Sequence, residues 1–305
     1  RLIEALVRAM PPEVGPVVAG AVGGSWWTLD RRRRRRASAN VAAAFPELSP
    51  QERGRLVRAT FRNMVLVFIE TMWMSRLVKT RAQVNARIRF HGDFEEVEAL
   101  ASSATPCILF SGHLGSWELG AQIVRAWPQK LRVLARPIAN RGVDRHVQEA
   151  RGGPGSVITK KGGLRGAVRS LQQGYWVGIL GDQNAGRHGP YVPFFDIAAS
   201  THRGAAYLAC RESAPFVAAA CIRRPDGFMR FDTYLDVLGH PKGEHEMQGL
   251  IARSMAVLEA WVRLAPDQYN WLHRRWKSKP MNAPDDPRRP QYDPPRRRRR
   301  KEATR

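Results

Sequence analysis

The feature that most constrains the fold is an alternation of short apolar runs with amphipathic segments, which begins near residue 84. Strands that alternate with helices form βαβ units, since a parallel strand is reached only through a crossover connection. The pattern therefore predicts an α/β fold, with a mostly parallel central sheet flanked by helices. The predicted strands span residues 84–90, 107–110, 131–135, 156–159, 175–180, 215–222 and 229–236, and the predicted helices span residues 93–102, 117–127, 141–151, 163–173, 201–211 and 244–264.

The chain divides by texture into three parts: a helical segment over residues 1–80, an α/β domain over 81–279, and a Pro- and Arg-rich tail over 280–305 that we expect to be disordered. Residues 14–29 are uncharged but fall short of the roughly 20 apolar residues that a membrane span needs. They fit an interfacial helix, with two tryptophans at headgroup depth and the arginines of 31–36 against the anionic face. A buried helix followed by a solvated charge run is the alternative.

The net charge is +23, yet 43% of the residues are hydrophobic, which excludes a disordered polycation. Residues 31–36 contribute +6 and the last 20 residues another +6, leaving +11 on the rest of the chain. We therefore expect anionic partners. The three cysteines show no CxxC spacing, which argues for a reducing compartment and against a disulfide frame or zinc ribbon.

Polar side chains follow the second predicted strand, in the sequence Ser-Gly-His-Leu-Gly-Ser-Trp-Glu of residues 111–118. Ligands in open α/β sheets bind beyond the carboxyl ends of the strands, so a site is expected here. The segment contains His113 and Glu118, five residues apart. That spacing alone is weak evidence for a functional pair, because His91 and Glu96 share it. Two residues five apart within one helix also point about 140° away from each other. With His113 in a glycine-flanked turn before the helix, the two side chains can meet.

In this hypothesis Glu118 accepts a hydrogen bond from one ring nitrogen of His113, and the other nitrogen takes a proton from an incoming hydroxyl. No protein nucleophile is evident, so the simplest chemistry is direct attack of the hydroxyl on an acyl thioester. The alternative is a structural His113 that only caps the helix. We expect no metal, since even the Glu-His-Glu run of 244–246 lacks further ligands.

Four more polar residues follow later predicted strands and are candidates for substrate binding. Arg136 could hold a phosphate or a developing oxyanion, and Asn140 lies shortly after it. Asp182 and Gln183 could orient acceptor hydroxyls or hold Arg136. The alternatives are a solvated arginine and a simple polar turn.

The motif of residues 111–118 resembles the HX4E signature of the bacterial lipid A late acyltransferases, the lauroyl/myristoyl acyltransferase family. The resemblance covers roughly residues 10–280, and its motifs are jointly specific although each is weak. One departure is Asp196, where the family usually has Gly, and it bears on chain-length preference. Further similar segments are residues 40–48, 133–137, 181–184, 192–195 and 271–277.

The resemblance implies a monotopic enzyme at the cytoplasmic face of the bacterial inner membrane. It would transfer a fatty acyl chain from acyl carrier protein to a hydroxyl of a lipid A precursor, an anionic glycolipid. His113 would be the general base and Glu118 its partner, with Arg136 and Asp182 in the active site. The acyl thioester, on carrier protein or coenzyme A, is a co-substrate, and no cofactor is expected.

Three alternatives remain open from the sequence. The phosphatidylinositol mannoside acyltransferases, which would use acyl-coenzyme A, share the His-x4-acid pair but usually lack a pair such as Asp182 and Gln183. A lipid hydrolase would use water as acceptor. A non-enzymatic basic protein would bind nucleic acid or membrane through its arginine runs, but no nucleic-acid fold signature is present, so no specific nucleic acid is expected.

Overall fold

A computed structural model describes residues 7, 10–77, 80–125, 127, 129–135, 141–151, 153, 155–159, 162–281 and 286–293. The strands, in chain order, are β1 Ile88–Gly92, β2 Ile108–Ser111, β3 Leu131–Ala135, β4 Val157–Thr159, β5 Trp176–Leu180, β6 Tyr191–Phe194, β7 Ile197–Ser200, β8 Phe216–Arg223 and β9 Phe231–Gly239. The α-helices are α1 Gly15–Leu29, α2 Arg31–Ala44, α3 Pro50–Leu77, α4 Arg81–Arg87, α5 Phe94–Ser102, α6 Leu119–Arg125, α7 Arg141–Ala150, α8 Gly163–Gln172, α9 Gly204–Glu212 and α10 Met247–Leu264.

One sheet forms the centre of the fold, with the strand order β1-β9-β8-β2-β5-β3-β4. Every neighbouring pair in it is parallel except β8 and β9, which are antiparallel. The prediction of an α/β fold with a mostly parallel sheet is therefore confirmed. Strands β2 and β5 pair directly in this sheet, so their carboxyl ends lie side by side.

Helices cover both faces of this sheet. Successive residues of a strand point to opposite faces, and in β2 the side chains of Ile108 and Phe110 belong to one apolar cluster while Leu109 belongs to another. The first cluster includes residues of α8, α9 and α10, and the second includes residues of α5 and α6. Burial on both faces explains why β2 reads as a continuous apolar run.

The predicted strand over 84–90 is only half correct. The backbone is helical through Arg87 and becomes a strand at Ile88. Thr80 caps this helix, since its hydroxyl accepts a hydrogen bond from the Gln83 N–H at 3.3 Å. Residues 84–87 therefore form the end of a capped helix, although they alternate between apolar and polar as in a strand.

A hairpin of β6 and β7 lies apart from the main sheet and was not predicted. Its two turn residues, Phe195 and Asp196, have φ angles of +54° and +57°, as a type I′ turn requires. Glycine or asparagine is usual at such positions, so the turn carries no familiar sequence signal. The Phe195 ring is buried and packs edge-on against Phe45 and Trp271.

The amino-terminal helices pack closely on one another. At Gly23 of α1, an added Cβ would lie 2.8 Å from the backbone of Arg62 in α3, so only glycine allows this approach. Asp30 begins α2, because its carboxylate accepts a hydrogen bond from the Arg33 N–H at 2.9 Å. The arginine run of 31–36 is therefore helical.

The outer side of α1 exposes apolar side chains: Val17, Val22 and Leu29 are 71%, 50% and 82% exposed. Arg34 lies over the ring of Trp27, with its guanidinium carbon 4.9 Å from the ring centre. Within the described ranges, every helix is too short or too polar to cross a membrane. The association of this segment with a membrane remains a proposal.

Residues 286–293 contact the body of the protein, which differs from the disorder predicted for the tail. Arg289 donates hydrogen bonds to the carbonyl oxygens of Trp276, Ser278 and Ala198 at 3.1, 2.9 and 2.8 Å. These three hydrogen bonds hold residues 286–293 against the body of the protein, although the composition of the tail predicts disorder. Residues 282–285 and 294–305 lie outside the described part, and the divisions at residues 80 and 279 stay predictions.

Candidate active site

Two strand ends create the site. Ser111 at the end of β2 is paired with Leu180 at the end of β5. Each strand is followed, two residues later, by a polar side chain, His113 and Asp182. Because the strands are parallel neighbours, these residues meet at the carboxyl edge of the sheet.

His113 and Asp182 form a doubly bonded pair. The Nδ1 atom of His113 lies 2.7 Å from Asp182 Oδ1, and the backbone N–H of His113 donates to Oδ2 at 2.8 Å. The imidazole side chain is 18% exposed and the carboxylate 3%. Both bonds together fix the orientation of the ring and of the loop that carries it.

The two groups shift each other's pKa in opposite directions. Burial lowers the pKa of His113, but the charge of Asp182 and its hydrogen bond outweigh this, with a smaller contribution from the Glu118 charge, and the net pKa is raised. Burial would raise the pKa of the Asp182 carboxyl, but the charge and hydrogen bonds of His113 hold it well below its usual value. Asp182 is therefore ionised at neutral pH and supports an imidazolium.

The second ring nitrogen of His113 faces a polar residue from the same edge. Gln183 Nε2 lies 3.4 Å from His113 Nε2. An amide N–H can only donate, so this contact, together with the acceptor at Nδ1, assigns the proton of neutral His113 to Nδ1. Nε2 then carries the free lone pair that a general base needs. Trp117 packs edge-on against the ring at 5.2 Å between centroids.

The expectation that Glu118 bonds His113 is not met. Glu118 accepts two hydrogen bonds from Arg151, at 2.8 Å from Nε and 2.7 Å from Nη2. Both side chains are nearly buried, at 13% and 12% exposure. The physical reason is that α6 begins only at Leu119, so the preceding turn directs Glu118 towards the end of α7, while Asp182 takes the ring nitrogen.

Backbone contacts hold the loop of His113 to its neighbours. Gly115 has a φ of +59°, and an added Cβ would lie 1.9 Å from the carbonyl oxygen of Cys221. The N–H of Ser116 donates to that same oxygen at 2.8 Å, and the N–H of Gly115 donates to the Gln268 carbonyl at 3.1 Å. The glycine expected to permit an unusual turn is thus required by sterics.

A later segment completes the site and was given no role from sequence. The N–H of Asn270 donates to the His113 carbonyl at 3.0 Å. His273 Nε2 accepts from the Asn184 N–H at 3.0 Å, and burial lowers the pKa of His273 to about 4. His273 is therefore neutral at pH 7. No spacing in the sequence links it to His113; only the family-like string 271–277 drew attention to it.

Arg151 is a second residue that sequence reasoning missed, since nothing in its surroundings marks it as the partner of Glu118. Arg136 and Asn140, both candidates for substrate binding, lie outside the described residues. Gln183, by contrast, lies beside Nε2 of His113. Across the described ranges, no three metal-binding side chains are grouped.

The thiols are poor nucleophiles. Burial raises the pKa of Cys221 to about 11, and it also raises that of Cys107 well above its ordinary value. A protonated thiol does not attack a carbonyl at neutral pH. The chemistry at this edge is thus that of the histidine and its carboxylate.

A groove of about 780 Å³ opens beside this loop. It lies between α3 and the turn that joins β8 to β9, with Asn63 and Leu66 on one side and Phe228 and Met229 on the other. Arg223 lines it and donates from Nη2 to the Gly115 carbonyl at 3.3 Å. The groove is within the usual size of ligand pockets, roughly 300–1,000 Å³.

Glu70 fixes Arg223 at the floor of this region. The carboxylate is fully buried and accepts from Arg223 Nε at 2.5 Å and from Nη2 at 2.6 Å. Asn63 accepts a further bond from Nη1. A buried, fully bonded pair of this kind joins α3 to the sheet.

A mostly parallel α/β sheet with a buried histidine–aspartate pair at its carboxyl edge has the geometry with which an enzyme can activate a hydroxyl by general base catalysis. Comparison with known families agrees with an enzyme of this kind. The model of the family described as bacterial lipid A biosynthesis acyltransferase matches residues 2–278. The chain belongs to this family and is an acyltransferase.

Curated relatives carry related names. The lipid A biosynthesis palmitoleoyltransferase of Escherichia coli K12 is 26% identical over 254 residues, covering 80% of this chain and 79% of the relative. The lipid A biosynthesis lauroyltransferase of the same organism shows the same identity and coverage. Among solved structures, the 1-acyl-sn-glycerophosphate acyltransferase of Thermotoga maritima matches 82% of this chain and 98% of its own, with 11% identity and a TM-score of 0.37.

Proposed function

We propose that this protein transfers a fatty acyl chain from an acyl carrier protein thioester to a hydroxyl of a lipid A precursor. Membership of the family and the names of its relatives support the substrate class. The observation that carries the mechanism is the pair of His113 and Asp182. The Nδ1 atom of His113 lies 2.7 Å from Asp182 Oδ1, which leaves Nε2 to act as the base.

The reaction then runs in two steps, attack on the thioester and collapse of the tetrahedral oxyanion. Nε2 of His113 takes the proton of the acceptor hydroxyl as the oxygen attacks the thioester carbonyl, and a tetrahedral oxyanion forms. The C–S bond breaks, the ester carbonyl returns, and the thiolate takes the proton from His113. No covalent acyl-enzyme is needed, which agrees with the raised pKa values of Cys107 and Cys221.

Asp182 stabilises the imidazolium that forms between the two steps. Its buried charge is worth more there than in water, because the surroundings polarise little. Gln183 donates to Nε2 in the resting state and is displaced by the acceptor hydroxyl, which it then orients. Arg136 and Asn140 are further proposed substrate-binding residues. The Glu118 charge also raises the pKa of His113, and the charge of its partner Arg151 opposes this effect.

The groove beside Gly115 is the proposed place for the donor acyl chain. It lies between the helical amino-terminal segment and the sheet, and Leu66, Ile222 and Met229 give it an apolar lining. Each methylene buried there contributes about 0.8 kcal/mol, so the depth of the groove would set the preference for chain length. Arg223 links its wall directly to the loop of His113.

The exposed apolar side chains of α1 and the basic helix α2 support a monotopic place at the cytoplasmic face of the inner membrane. Val17 and Leu29 would enter the lipid, while the arginines would meet anionic headgroups. The net charge of +23 would also attract an acidic carrier protein.

The test is expression of the chain in a host that lacks its own late acyltransferases, followed by mass spectrometry of the membrane lipids. An added acyl chain on the lipid A precursor is expected with the wild-type chain and not with His113→Ala. Release of free fatty acid without an ester would instead identify a hydrolase, and acylation of another glycolipid would contradict the acceptor. Supplying purified enzyme with acyl carrier protein or coenzyme A thioesters in turn identifies the donor.

A further inference from the structure

A small pocket at the amino-terminal half of α2 gathers four arginines. Arg32, Arg35 and Arg36 belong to α2, and Arg274 lies in the segment after α10. Asp293 lines the pocket as well. The pocket, called here the arginine pocket, has a volume of about 30 Å³. Four guanidinium groups against one carboxylate make it strongly positive.

Two of the four arginines are held in place before any ligand arrives. Arg36 Nη1 donates to the Leu272 carbonyl at 3.0 Å, and Arg274 Nη2 donates to the Asp293 carbonyl at 2.6 Å. The Nε atom of Arg274 is buried, with no hydrogen-bond partner among the described residues. A buried donor without a partner costs stability that an anion in the pocket would restore.

Like charges crowd at this place. Burial lowers the pKa of Arg36, and the charges of Arg274 and Arg32 lower it further. Repulsion of this kind is relieved by an anion that all the guanidinium groups can share. Because the mutual repulsion is already present in the folded chain, a bound anion gains the full attraction of the cluster.

The one carboxylate in the pocket indicates where an anion sits. Asp293 Oδ2 lies 3.4 Å from Arg35 Nη2, and the Asp293 side chain is 41% exposed. A pair this long and this accessible is weak. A dianionic group would therefore replace the carboxylate at little cost.

The arginine pocket and the candidate active site share one segment of chain. Arg36 and Asn40 lie one turn apart on α2, and Asn40 Nδ2 donates to the His273 carbonyl at 2.7 Å. The next residue, Arg274, lines the pocket, whereas the His273 ring bonds Asn184 beside the catalytic pair. His273 thus connects the two places, and the charges of both Arg36 and His113 act on its ring.

We infer that the arginine pocket binds a phosphate group of the acceptor glycolipid and so positions its hydroxyl for His113. Guanidinium forks match the oxygens of phosphate, which makes arginine the usual residue for this task. A volume of about 30 Å³ holds roughly two or three water molecules, which suits the oxygens of one phosphate and excludes a sugar ring. The inference rests on the proposed function, because it needs a phosphorylated lipid acceptor.

The experiment measures acyl transfer to the lipid A precursor and to its dephosphorylated form, both in neutral phosphatidylcholine vesicles. The variants are Arg35→Gln, whose side chain is 72% exposed and safe for folding, and Arg274→Gln. Arg31→Gln is the matched control, since Arg31 belongs to the same run and is exposed outside the pocket. We expect the KM for the phosphorylated acceptor to rise about ten-fold or more in both pocket variants, as loss of a charged hydrogen bond predicts.

The KM for the dephosphorylated acceptor and the KM for the thioester should not change in these variants, and Arg31→Gln should behave as wild type. Equal KM values of the wild-type enzyme for both acceptors would overturn the inference, as would an equal effect of Arg31→Gln. Vesicles that contain phosphatidylglycerol form a further arm: if they restore tight binding of the dephosphorylated acceptor, the phosphate belongs to the surrounding phospholipid and the acceptor is refuted as its source. Failure of the wild-type enzyme to form any ester would instead refute the proposed function.

Discussion

Replacing Asp182 by asparagine removes one charge and keeps the shape of the side chain. In the wild-type chain the carboxylate accepts from the ring and from the backbone of His113, at 2.7 and 2.8 Å, and is 3% exposed. Loss of a hydrogen bond to a buried charged group costs about 1.5–3 kcal/mol, or roughly ten-fold to a hundred-fold in rate. The amide can also donate to Nδ1, which would place the ring proton on Nε2 and remove the base.

Both effects act on the same step, so we expect kcat to fall by about 10² to 10⁴. The acidic limb of the pH profile of kcat/KM should move as well. A general base works when it is neutral, and Asp182 raises the pKa of His113, so the wild-type rate increases through a pH above the ordinary 6.5 of histidine. Without the carboxylate, burial outweighs the smaller contribution of the Glu118 charge, and the limb moves to lower pH.

The assay is the pH dependence of ester formation from a carrier protein thioester and a lipid A precursor. Glu96→Gln is the matched control, because it removes the charge of an exposed carboxylate on α5 that contacts His240, at 3.0 Å, and not His113. Turnover by Asp182→Asn within a few-fold of wild type, or an acidic limb that does not move, would refute the assignment of Asp182 as the partner of His113.

Three further outcomes are expected. Gly115→Ala should destabilise the chain by several kcal/mol and abolish transfer, because its Cβ would lie 1.9 Å from the Cys221 oxygen, whereas Gly120→Ala, with open space around it, should keep its melting temperature. Glu70→Ala leaves a buried guanidinium without its partner and should lower the free energy of unfolding by about 3–5 kcal/mol in urea titration. His273 is neutral when folded, with a pKa of about 4 against 6.5 unfolded, so its contribution to unfolding free energy should fall by about 3 kcal/mol as pH drops from 6.5 to 4. His273→Gln should flatten that slope in the same titration, and an unchanged slope would contradict it.

The sequence predicted the sheet well, because strands such as β5 are apolar runs bounded by polar residues, and buried parallel strands produce that pattern. It also placed His113 at a strand end. It did not predict that Asp182 bonds His113, since this contact depends on the pairing of β2 with β5, and pairing between distant strands leaves no local signal. Proximity in sequence favoured Glu118 instead.

Other differences have local causes that composition hides. The hairpin of β6 and β7 turns on Phe195 and Asp196, residues that seldom adopt positive φ angles. The segment 286–293 is rich in proline and charge, yet Arg289 finds three carbonyl acceptors on the folded body. Both depend on tertiary contacts that outweigh local preference.

The place of β1 at the edge of the sheet bears on how the chain is made. β1 pairs with β9, although nearly half of the sequence separates them. During synthesis from the amino terminus, β1 therefore emerges long before β9, its neighbour in the sheet order. Contacts at such sequence separation slow folding, since a long loop must close before they form. The loop of His113 depends on the same late residues, because Gln268 and Asn270 bond its backbone. The catalytic edge is thus assembled only after translation has passed residue 270, and a ribosome stalled earlier would hold an inactive chain.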